Sequence, residues 1–508
     1  IVTARLDRLP VDLKEMVLFA SVLGNEFNAG VLLKMVDLLI KFTKKISKQD
    51  NIKINLSLIM TILRAKIMRR LLKDGEVENL WHKVANNKYS FKNILIAESA
   101  YADQLRIRLQ YLHKFAGDAI EILYRDDPAY YLDLVLHYEK ADELVLAVQY
   151  ALRAAKRAVE LYVDEDALTW YERALGLLAG KEIFLVPEQV RGLAPFEQIH
   201  ISEHLPLDVL GLVYRQQGLI AQRTGNYPQA EASFQRALAR AQTRRRLDEQ
   251  GAAHNLLSFL AYLRSEYHLV TDHAERTRDF GIQAEVPQLR AAGLRNLGIA
   301  AYHTQNFDRA LALYKEALTV YEGVGDKVGI ATCYNNTGFA LRTLRRYDEA
   351  VLSFEKAFAH YEAAGQMEGQ ALILANIGRT YASQGDAEKA LDHLQRAHQL
   401  SKEIRTDWIT VKIWRTKGRV FVQNKQWENA LKAAHEAQAL AKTLGSDEDI
   451  GASYRLLGEI ASEWTESTLG TPEEYFKKSI SILEKVGEKH ELQRSFDSLA
   501  RYKNRVKI

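Results

Sequence analysis

Small side chains recur at a fixed interval from residue 218 onward. Glycines 40 residues apart occupy positions Gly298, Gly338, Gly378, Gly418 and Gly458, and the series extends upstream to Gly218 with Ser258 in the skipped position. An alanine follows twelve residues after most of these markers, at Ala230, Ala310, Ala350, Ala390 and Ala430. A larger apolar residue comes four positions later and a second alanine three positions after that, as in Phe354 and Ala357. This periodicity predicts an array of similar helical units.

Each unit predicts two helices joined by a short turn. Segments such as 224–228 and 384–386 offer a residue that tolerates the left-handed conformation, followed by a polar residue that can cap the next helix. Glycine on the first helix and alanine on the second allow the two backbones to approach closely. The larger apolar residue then fills the space beside the crossing. Because one such hairpin cannot bury its apolar face alone, the units are expected to stack.

The Gly-x11-Ala-x3-aromatic-x2-Ala spacing resembles the tetratricopeptide repeat. The tripeptides ending at Gly298, Gly338 and Gly378, each beginning with asparagine, are similar to the 40-residue subtype of Leu-Gly-Asn adaptors and kinesin light chains. The resemblance implies an all-α fold, a right-handed α-solenoid of about seven repeats over residues 207–490. Residues 491–508 are then expected to form a solvent-facing capping helix. A two-residue excess after Gly458 predicts a looser turn around Gly470.

The region before residue 207 follows the 40-residue spacing of small side chains less closely. Residues 128–179 keep the helix-pair spacing of small residues without the glycine marker, which predicts divergent repeats. Residues 180–206 contain three of the eight prolines and are expected to form a connector.

Two segments near the beginning of the chain carry a second resemblance. Residues 5–27 and 89–101, the latter followed by Leu112-His113, resemble the winged-helix region after the nucleotide-binding module of STAND-class signal-transduction ATPases. That class includes adenylyl-cyclase-like and maltose-activator-like regulators. The resemblance implies a winged-helix-like domain over residues 1–127, with a small β-wing, that follows an ATPase module missing from this chain. Asn93 departs from the pattern because many relatives carry histidine there.

Composition narrows the class of protein. The chain has 508 residues, 47% hydrophobic and 26% charged, with a formal net charge of +4, which argues against a general polyanion-coating protein. Its only cysteine, Cys333, excludes an internal disulfide and favours a reducing, cytoplasmic setting. No apolar run is long enough to span a membrane. The chain begins with Ile1 and shows no signal peptide, so we expect an upstream part to precede it.

Positive charge is concentrated in residues 40–92, which hold 13 Lys and Arg against four acidic residues. A winged helix with this charge could bind nucleic acid, and the protein would then be a transcription regulator. The alternative is a solvated face that packs against an acidic partner domain. The segment lacks an accompanying cluster of aromatic, Asn or Gln side chains for base recognition, which favours the alternative.

Motifs for catalysis are missing from the sequence. The pair Gly180-Lys181 lacks the upstream glycine and following hydroxyl residue of a phosphate-binding loop, and neither His-Glu-x-x-His nor Gly-x-Ser-x-Gly occurs. His268 and His273 are five residues apart and diverge around a helix, which argues against a shared metal. We therefore expect a chain without catalytic residues, metal or cofactor. Its parent protein is expected to be a signal-transduction ATPase or a nucleotide cyclase.

The remaining candidate for function is a surface. Positions three before, one after and four after the marker glycine share one face of the first helix, and in tetratricopeptide proteins this face lines a groove. It supplies Arg215, Arg295, Asn335, Arg342, Arg379, Arg415, Arg419 and Arg455, with the adjacent series Asn296, Asn336 and Asn376. Such amides can bind a peptide backbone and arginine can bind carboxylates, which predicts a groove for an acidic protein or peptide ligand. The alternative is that the asparagines satisfy neighbouring turns and the arginines are solvated.

Overall fold

The computed structural model describes residues 2–49, 65–161, 163–179, 184–185, 207–464, 470–486 and 489–506. The chain divides into two compact units, residues 1–196 with 204–220, and residues 197–203 with 221–508. Helices dominate both units. No helix in the described ranges combines the length and the hydropathy needed to cross a lipid bilayer.

The first unit contains short strands among its helices. The described helices that precede strand β2 in the chain are α1 (Val2–Leu6), α2 (Val11–Val22), α3 (Ala29–Gln49) and α4 (Ala65–Val77). The strands are β1 (Glu26–Asn28), β2 (Trp81–Ala85) and β3 (Lys88–Phe91). The later helices are α5 (Ile94–Ala102), α6 (Arg106–Tyr124), α7 (Tyr131–Lys140), α8 (Leu144–Glu160) and α9 (Asp164–Leu178), with a 3-10 turn at Pro128–Tyr130. The pair β4 (Phe184–Leu185) and β5 (Leu207–Asp208) precedes α10 (Val209–Arg223).

The three strands form one antiparallel sheet in the order β1, β3, β2. Its inner side is aromatic, because Phe27 packs edge-to-face on Trp81 with ring centroids 5.4 Å apart. The indole Nε1 of Trp81 donates to the carbonyl oxygen of Leu72 at 2.9 Å, so this buried polar atom is satisfied. A side chain in place of Gly75 would overlap the Trp81 ring. These contacts join the sheet to α4.

Polar groups also join α5, α6 and α7. Asn93 caps α5, because its side-chain oxygen accepts from the backbone N–H of Leu95 at 3.0 Å. The Tyr101 hydroxyl lies 2.8 Å from Nε2 of His113, whose Nδ1 lies 2.9 Å from Nδ1 of His137. Burial lowers the pKa of His113 to about 3 and that of His137 to about 4. Both imidazoles are therefore neutral near pH 7 and act as hydrogen-bonding links between helices.

The second unit is a regular series of antiparallel helix pairs. Its first helices are α12 (Leu247–Leu263), α14 (Pro287–His303), α16 (Lys327–Thr343), α18 (Met367–Gln384), α20 (Asp407–Gln423) and α22 (Asp447–Glu463). Its second helices are α11 (Tyr227–Thr243), α13 (Tyr267–Gln283), α15 (Phe307–Val324), α17 (Tyr347–Ala363), α19 (Ala387–Glu403), α21 (Trp427–Thr443) and α23 (Pro472–Val486). The series ends with α24 (Lys489–Val506). The predicted all-α solenoid is confirmed for this region.

The turns of this unit repeat every 20 residues. A residue with positive φ occurs at each step from Gly225 to Gly445. Five of these residues are glycine, and the others are Arg245, Ser265, Glu285, Gln305, Arg345, Arg405 and Lys425. The 40-residue period therefore consists of two halves with the same turn geometry. From the sequence, this geometry is predictable only where glycine occurs.

The marker glycines lie where paired helices cross. A Cβ at Gly298 would lie 2.5 Å from the Tyr314 ring, and one at Gly338 would lie 2.7 Å from the Phe354 ring. Such distances are shorter than van der Waals contact, so the ring occupies the space that a side chain would need. In the degenerate repeat, the hydroxyl of buried Ser258 donates to the carbonyl oxygen of Val270 at 3.2 Å. The predicted role of these small residues is confirmed.

Two predictions fall on segments that the structure does not describe. Apart from Phe184–Leu185, the predicted connector at 180–206 lies outside the described residues, as does the centre of the looser turn after Gly458, residues 465–469. The final helix begins two residues earlier than expected, at Lys489, and buries polar side chains from its first half, including Glu491 and Ser495. That side of α24 is packed against its neighbours, which corrects the expectation of a helix that only faces solvent.

Candidate ligand-binding face

The first helices of the second unit share a common surface, which we call the first-helix face. Neighbouring first helices contact each other directly, as α12 does with α14 and α20 with α22. Among the described second helices, no pair makes contact to a comparable extent. The first helices therefore lie on the inner side of the array, where side chains from successive repeats come close together.

Asparagines on this face bond to one another between repeats. Asn296 Nδ2 donates to Asn255 Oδ1 at 2.9 Å, and Asn376 Nδ2 donates to Asn335 Oδ1 at 3.0 Å. All four side chains are buried. Each pair joins the position three before the marker in one repeat to the position two before the marker in the next. These amide groups are engaged inside the protein, so they have a structural role, although they pair with asparagines of neighbouring repeats and not with turns.

Asn336 does not form such a pair. The spacing places Arg295 where its partner asparagine would be, and the Arg295 guanidinium instead approaches Asn296 Oδ1 at 3.3 Å. Asn336 Nδ2 is buried and has no hydrogen-bond partner among the described atoms. The regular 40-residue asparagine series therefore produces paired amides only where the preceding repeat also carries asparagine.

Arginines near the end of the array are neutralised by carboxylates. Arg415 Nη1 donates to Asp449 Oδ1 at 2.7 Å, and Arg455 Nη1 donates to Glu459 Oε1 at 2.7 Å. Glu491, from the first turn of α24, accepts from Arg455 Nη2 at 2.6 Å and lies 3.3 Å from Arg415 Nη2. It also accepts from Arg494 at 2.9 Å.

Glu491 is the centre of this network. Burial acts to raise the pKa of its carboxyl, but the guanidinium groups of Arg415, Arg455 and Arg494 outweigh burial and hold the pKa well below its usual range. The carboxylate stays charged at neutral pH and closes one end of the first-helix face.

Three other arginines have no carboxylate partner in the described part of the chain. Arg342, Arg379 and Arg419 come from α16, α18 and α20, and each is half-buried. Arg342 Nη1 and Arg379 Nε lack any hydrogen-bond partner there, although the Arg342 guanidinium lies 5.1 Å from the Phe339 ring centroid. We call these three residues the arginine row.

Burial destabilises the charged form of the arginine row. It lowers the pKa of Arg342 to about 10 and that of Arg419 to about 10. Burial also holds the pKa of Arg379 well below its usual range, and the positive charges of Arg342 and Arg419 add to this effect. The charges of Arg342 and Arg419 thus repel that of Arg379 in a partly desolvated place.

A cavity of about 390 Å³ opens beside Arg419, and Glu459, Glu463 and Asp497 contribute acidic groups to its lining. Arg419 forms part of its wall, together with Arg494 and with the rings of Phe476 and Tyr502. The cavity thus connects one end of the arginine row to a partly aromatic surface formed by α23 and α24.

Arg215 is separate from this arrangement. It belongs to the first unit, on α10, and its side chain is completely buried. Among the predicted residues of the second unit, the structure joins Arg415 and Arg455 through Glu491, and the charges of Arg342, Arg415 and Arg419 act on Arg379.

Sequence reasoning missed the acidic partners and one asparagine. Asp449, Glu459 and Glu491 do not repeat with the period, so no pattern indicated them. Asn255 could have been found, because it lies three positions before Ser258, as Asn335 does before Gly338.

Metal-binding and nucleophilic groups do not converge on this face. No three His, Cys, Asp or Glu side chains in the described ranges are placed to hold a metal ion. His273 lies beside His254, with the two Nδ1 atoms 3.0 Å apart, and not beside His268. Cys333 is buried, which raises the pKa of its thiol to about 12 and keeps it unreactive.

Sequence comparison identifies the repeats. Models of the tetratricopeptide repeat match residues 289–363 and 371–404. These segments are tetratricopeptide repeats. No curated protein sequence matches the chain at a significant level.

Structure comparison extends the likeness to the rest of the fold. A signal transduction ATPase with numerous domains and a tetratricopeptide-repeat sensor, from Pyrococcus horikoshii, is similar at 12% identity and a TM-score of 0.54. The match covers 98% of this chain and 65% of that protein, so the present chain spans less than two thirds of it. The apo form of the quorum sensor NprR from B. thuringiensis matches at 16% identity and a TM-score of 0.44, covering 70% of this chain and 93% of that one. The tetratricopeptide repeats thus lie in a chain whose fold resembles that of the archaeal protein.

Proposed function

We propose that this chain is a non-catalytic binding scaffold and sensor arm, and that its first-helix face takes a protein or peptide ligand bearing acidic groups. The observation that carries this proposal is the arginine row, Arg342, Arg379 and Arg419, which has no carboxylate partner among the described residues. Guanidinium groups bind carboxylates through paired hydrogen bonds. An acidic ligand would supply the charge that the row lacks.

The neighbouring ion pairs support this proposal by contrast. Arg415 and Arg455 carry the same kind of side chain on the same face, and both are compensated by Asp449, Glu459 or Glu491. A partly desolvated cation without a partner is unfavourable. Its presence beside compensated arginines favours a role in binding over a role in stability.

We also propose that the chain works within a larger signal-transduction ATPase. The fold likeness to the archaeal protein supports this, and so does the three-stranded sheet with its flanking helices, which suits a winged-helix-like domain over residues 1–127. Divergent repeats at 128–179, a connector at 180–206, repeats at 207–490 and a cap at 491–508 complete the proposed organisation. Ligand binding would act by shifting how the repeats pack against the nucleotide-binding module.

Binding of an oligoglutamate peptide of ten residues tests the binding role, with an oligoglutamine peptide as the uncharged comparison. We expect the first to bind at low salt and the second not to bind. The double variant Arg379→Met with Arg419→Met should weaken binding by roughly tenfold or more, since a hydrogen bond to a charged group contributes about 1.5–3 kcal/mol and 1.4 kcal/mol is a factor of ten.

Arg396→Met supplies the matched control, because Arg396 is exposed on the second helix α19. It should bind oligoglutamate as the unmodified protein does. Equal losses in the control and in the double variant would indicate general charge attraction and would refute the proposed groove.

A further inference from the structure

We infer that the arginine row is a binding site for a phosphoryl group, so that the ligand of the first-helix face is a phosphorylated molecule. This inference rests on the proposed binding role of that face and narrows it to one ligand chemistry. It is argued from the concentration of charge, from the engaged asparagines and from the cavity beside Arg419.

Charge is concentrated at one place on the face. Arg379 lies on α18, between the helices that carry Arg342 and Arg419, and Arg342 Nη1 and Arg379 Nε are buried without a hydrogen-bond partner in the described ranges. The positive charges of Arg342 and Arg419 both act on Arg379. One carboxylate supplies a single negative charge. A phosphate monoester carries a charge of about −1.5 to −2 at neutral pH on one compact group, and its three oxygens suit guanidinium forks from several directions. A phosphoryl group therefore matches this site better than a single carboxylate.

Two of the three asparagines predicted to hold an extended peptide backbone are engaged elsewhere, and of the three only Asn336 keeps an unpartnered amide in the described part of the chain. The amides of Asn296 and Asn376 donate to Asn255 and Asn335 and are buried. A ligand would therefore find cations on this face and few free amides to pair with its main chain. This arrangement favours recognition of a compact anion over recognition of a long peptide backbone.

The cavity provides room for the remainder of the ligand. Its volume of about 390 Å³ lies within the range of small-molecule sites, and Arg419 belongs both to the row and to the cavity wall. The half-buried Tyr502 ring offers apolar contact surface, whereas the Phe476 ring in the same wall is only 1% exposed. Glu459 and Glu491 are paired with Arg455, and their charges also act to raise the pKa of Arg419, so this end of the row is partly compensated. Arg342 Nη1 and Arg379 Nε remain without a hydrogen-bond partner in the described part of the chain.

Thermal unfolding with pyrophosphate as the probe tests the site. At constant ionic strength, pyrophosphate should raise the unfolding midpoint of the full chain by roughly 2 °C or more, whereas chloride and acetate should not. Arg379→Met should abolish the rise, and Arg379→Lys should weaken it, because lysine keeps the charge but loses the fork. Arg396→Met, on the opposite helix of its pair, should respond as the unmodified chain does. An unchanged midpoint, or an equal rise in Arg379→Met, would overturn the inference.

If Arg379→Met does not fold, Arg419→Met replaces it with the same expected result. Titration calorimetry with a phosphoserine peptide, its unphosphorylated form and free pyrophosphate then distinguishes the source. Tighter binding of the phosphopeptide supports a protein ligand, and binding of pyrophosphate alone supports a small phosphorylated molecule.

The outcomes separate this inference from the proposed function. Oligoglutamate binding without any response to pyrophosphate or phosphopeptide would overturn the phosphoryl assignment and leave the acidic-ligand groove intact. A response to pyrophosphate that depends on Arg379, without oligoglutamate binding, would support the phosphoryl site and count against a groove for carboxylate-bearing peptides.

Discussion

Asn335 and Asn376 illustrate what single residues do at the interface between repeats. Their side-chain hydrogen bond of 3.0 Å is buried and joins α16 to α18. A neutral hydrogen bond contributes about 1 kcal/mol, but leaving a buried partner unsatisfied costs about 1–3 kcal/mol. The pair therefore specifies how the two repeats align.

Asn376→Ala should destabilise the protein by about 1–3 kcal/mol, because it leaves Asn335 Oδ1 buried without a donor. Urea unfolding followed by circular dichroism measures this loss. Asn429→Ala is the matched control at an exposed site, and its effect should stay within about 0.5 kcal/mol. Similar losses in both variants would show that the buried amide pair adds no more to the free energy of unfolding than an exposed side chain does.

Glu491 sets the pH dependence of the last repeats. Because its folded pKa lies well below the ordinary value of 4.5, it contributes stability that is fully present above that value and is lost as the pH falls through the folded pKa. Stability measured from pH 7 down to acid pH should therefore decline below about pH 4.5, with part of the decline due to Glu491.

Glu491→Gln should remove this part of the acid dependence and lower stability at pH 7 by about 3–5 kcal/mol, since Arg415 and Arg455 lose a buried partner. Glu484→Gln, at an exposed position on α23, is the control. A variant Glu491→Gln with unchanged stability at pH 7 would contradict the role of this carboxylate.

At the scale of the element, the helices from α11 to α21 end in the same left-handed turn, whatever residue occupies it. Glycine occurs at four of these turns, and side chains such as Arg345 and Lys425 adopt the same conformation at the others. A side chain in this region is unfavourable by about 1–2 kcal/mol, so packing of the two helices determines the turn. For this reason, turn residues alone could predict only some of the helix boundaries.

Helix crossing depends on the marker glycines more strictly. Gly338→Ala should destabilise the protein by about 1–3 kcal/mol, because the new Cβ would lie 2.7 Å from the Phe354 ring. Gly323→Ala is the control on α15, where nothing lies within 4 Å, and alanine there should be neutral or stabilising by up to about 1 kcal/mol. Thermal unfolding of both variants measures these changes in stability. An unchanged stability in Gly338→Ala would mean that the helix crossing tolerates a side chain.

At the scale of the whole array, the helices make their main contacts within a hairpin, with the adjacent hairpin and between neighbouring first helices. Such an array transmits a disturbance over short distances, since its stability is a sum of unit and nearest-neighbour contributions. The neutralised arginines at its end and the uncompensated row in its middle follow from which side chains adjacent repeats supply.

Removal of α24, by ending the chain after Lys485, should therefore have a local effect. Amide hydrogen exchange should quicken in α22 and α23, which pack near α24, and in the part of α20 around Arg415. Exchange in α12, α14 and α16 should stay unchanged and serves as the internal control. Faster exchange throughout the second unit would contradict the nearest-neighbour description.

The sequence alone determined the helical repeat, the positions of close helix crossing and the face on which the arginines lie. These features follow from side-chain size and helical periodicity, which are local and repeat along the chain. Only the tertiary structure decided that Asn376 bonds to Asn335, that Glu491 compensates Arg415 and Arg455, and that Arg342, Arg379 and Arg419 are left without a carboxylate partner in the described part of the chain. Partners of this kind come from different repeats and from the terminal helix α24, which does not follow the 40-residue spacing. Whether a charge is paired depends on distances in space, which no spacing along the chain records.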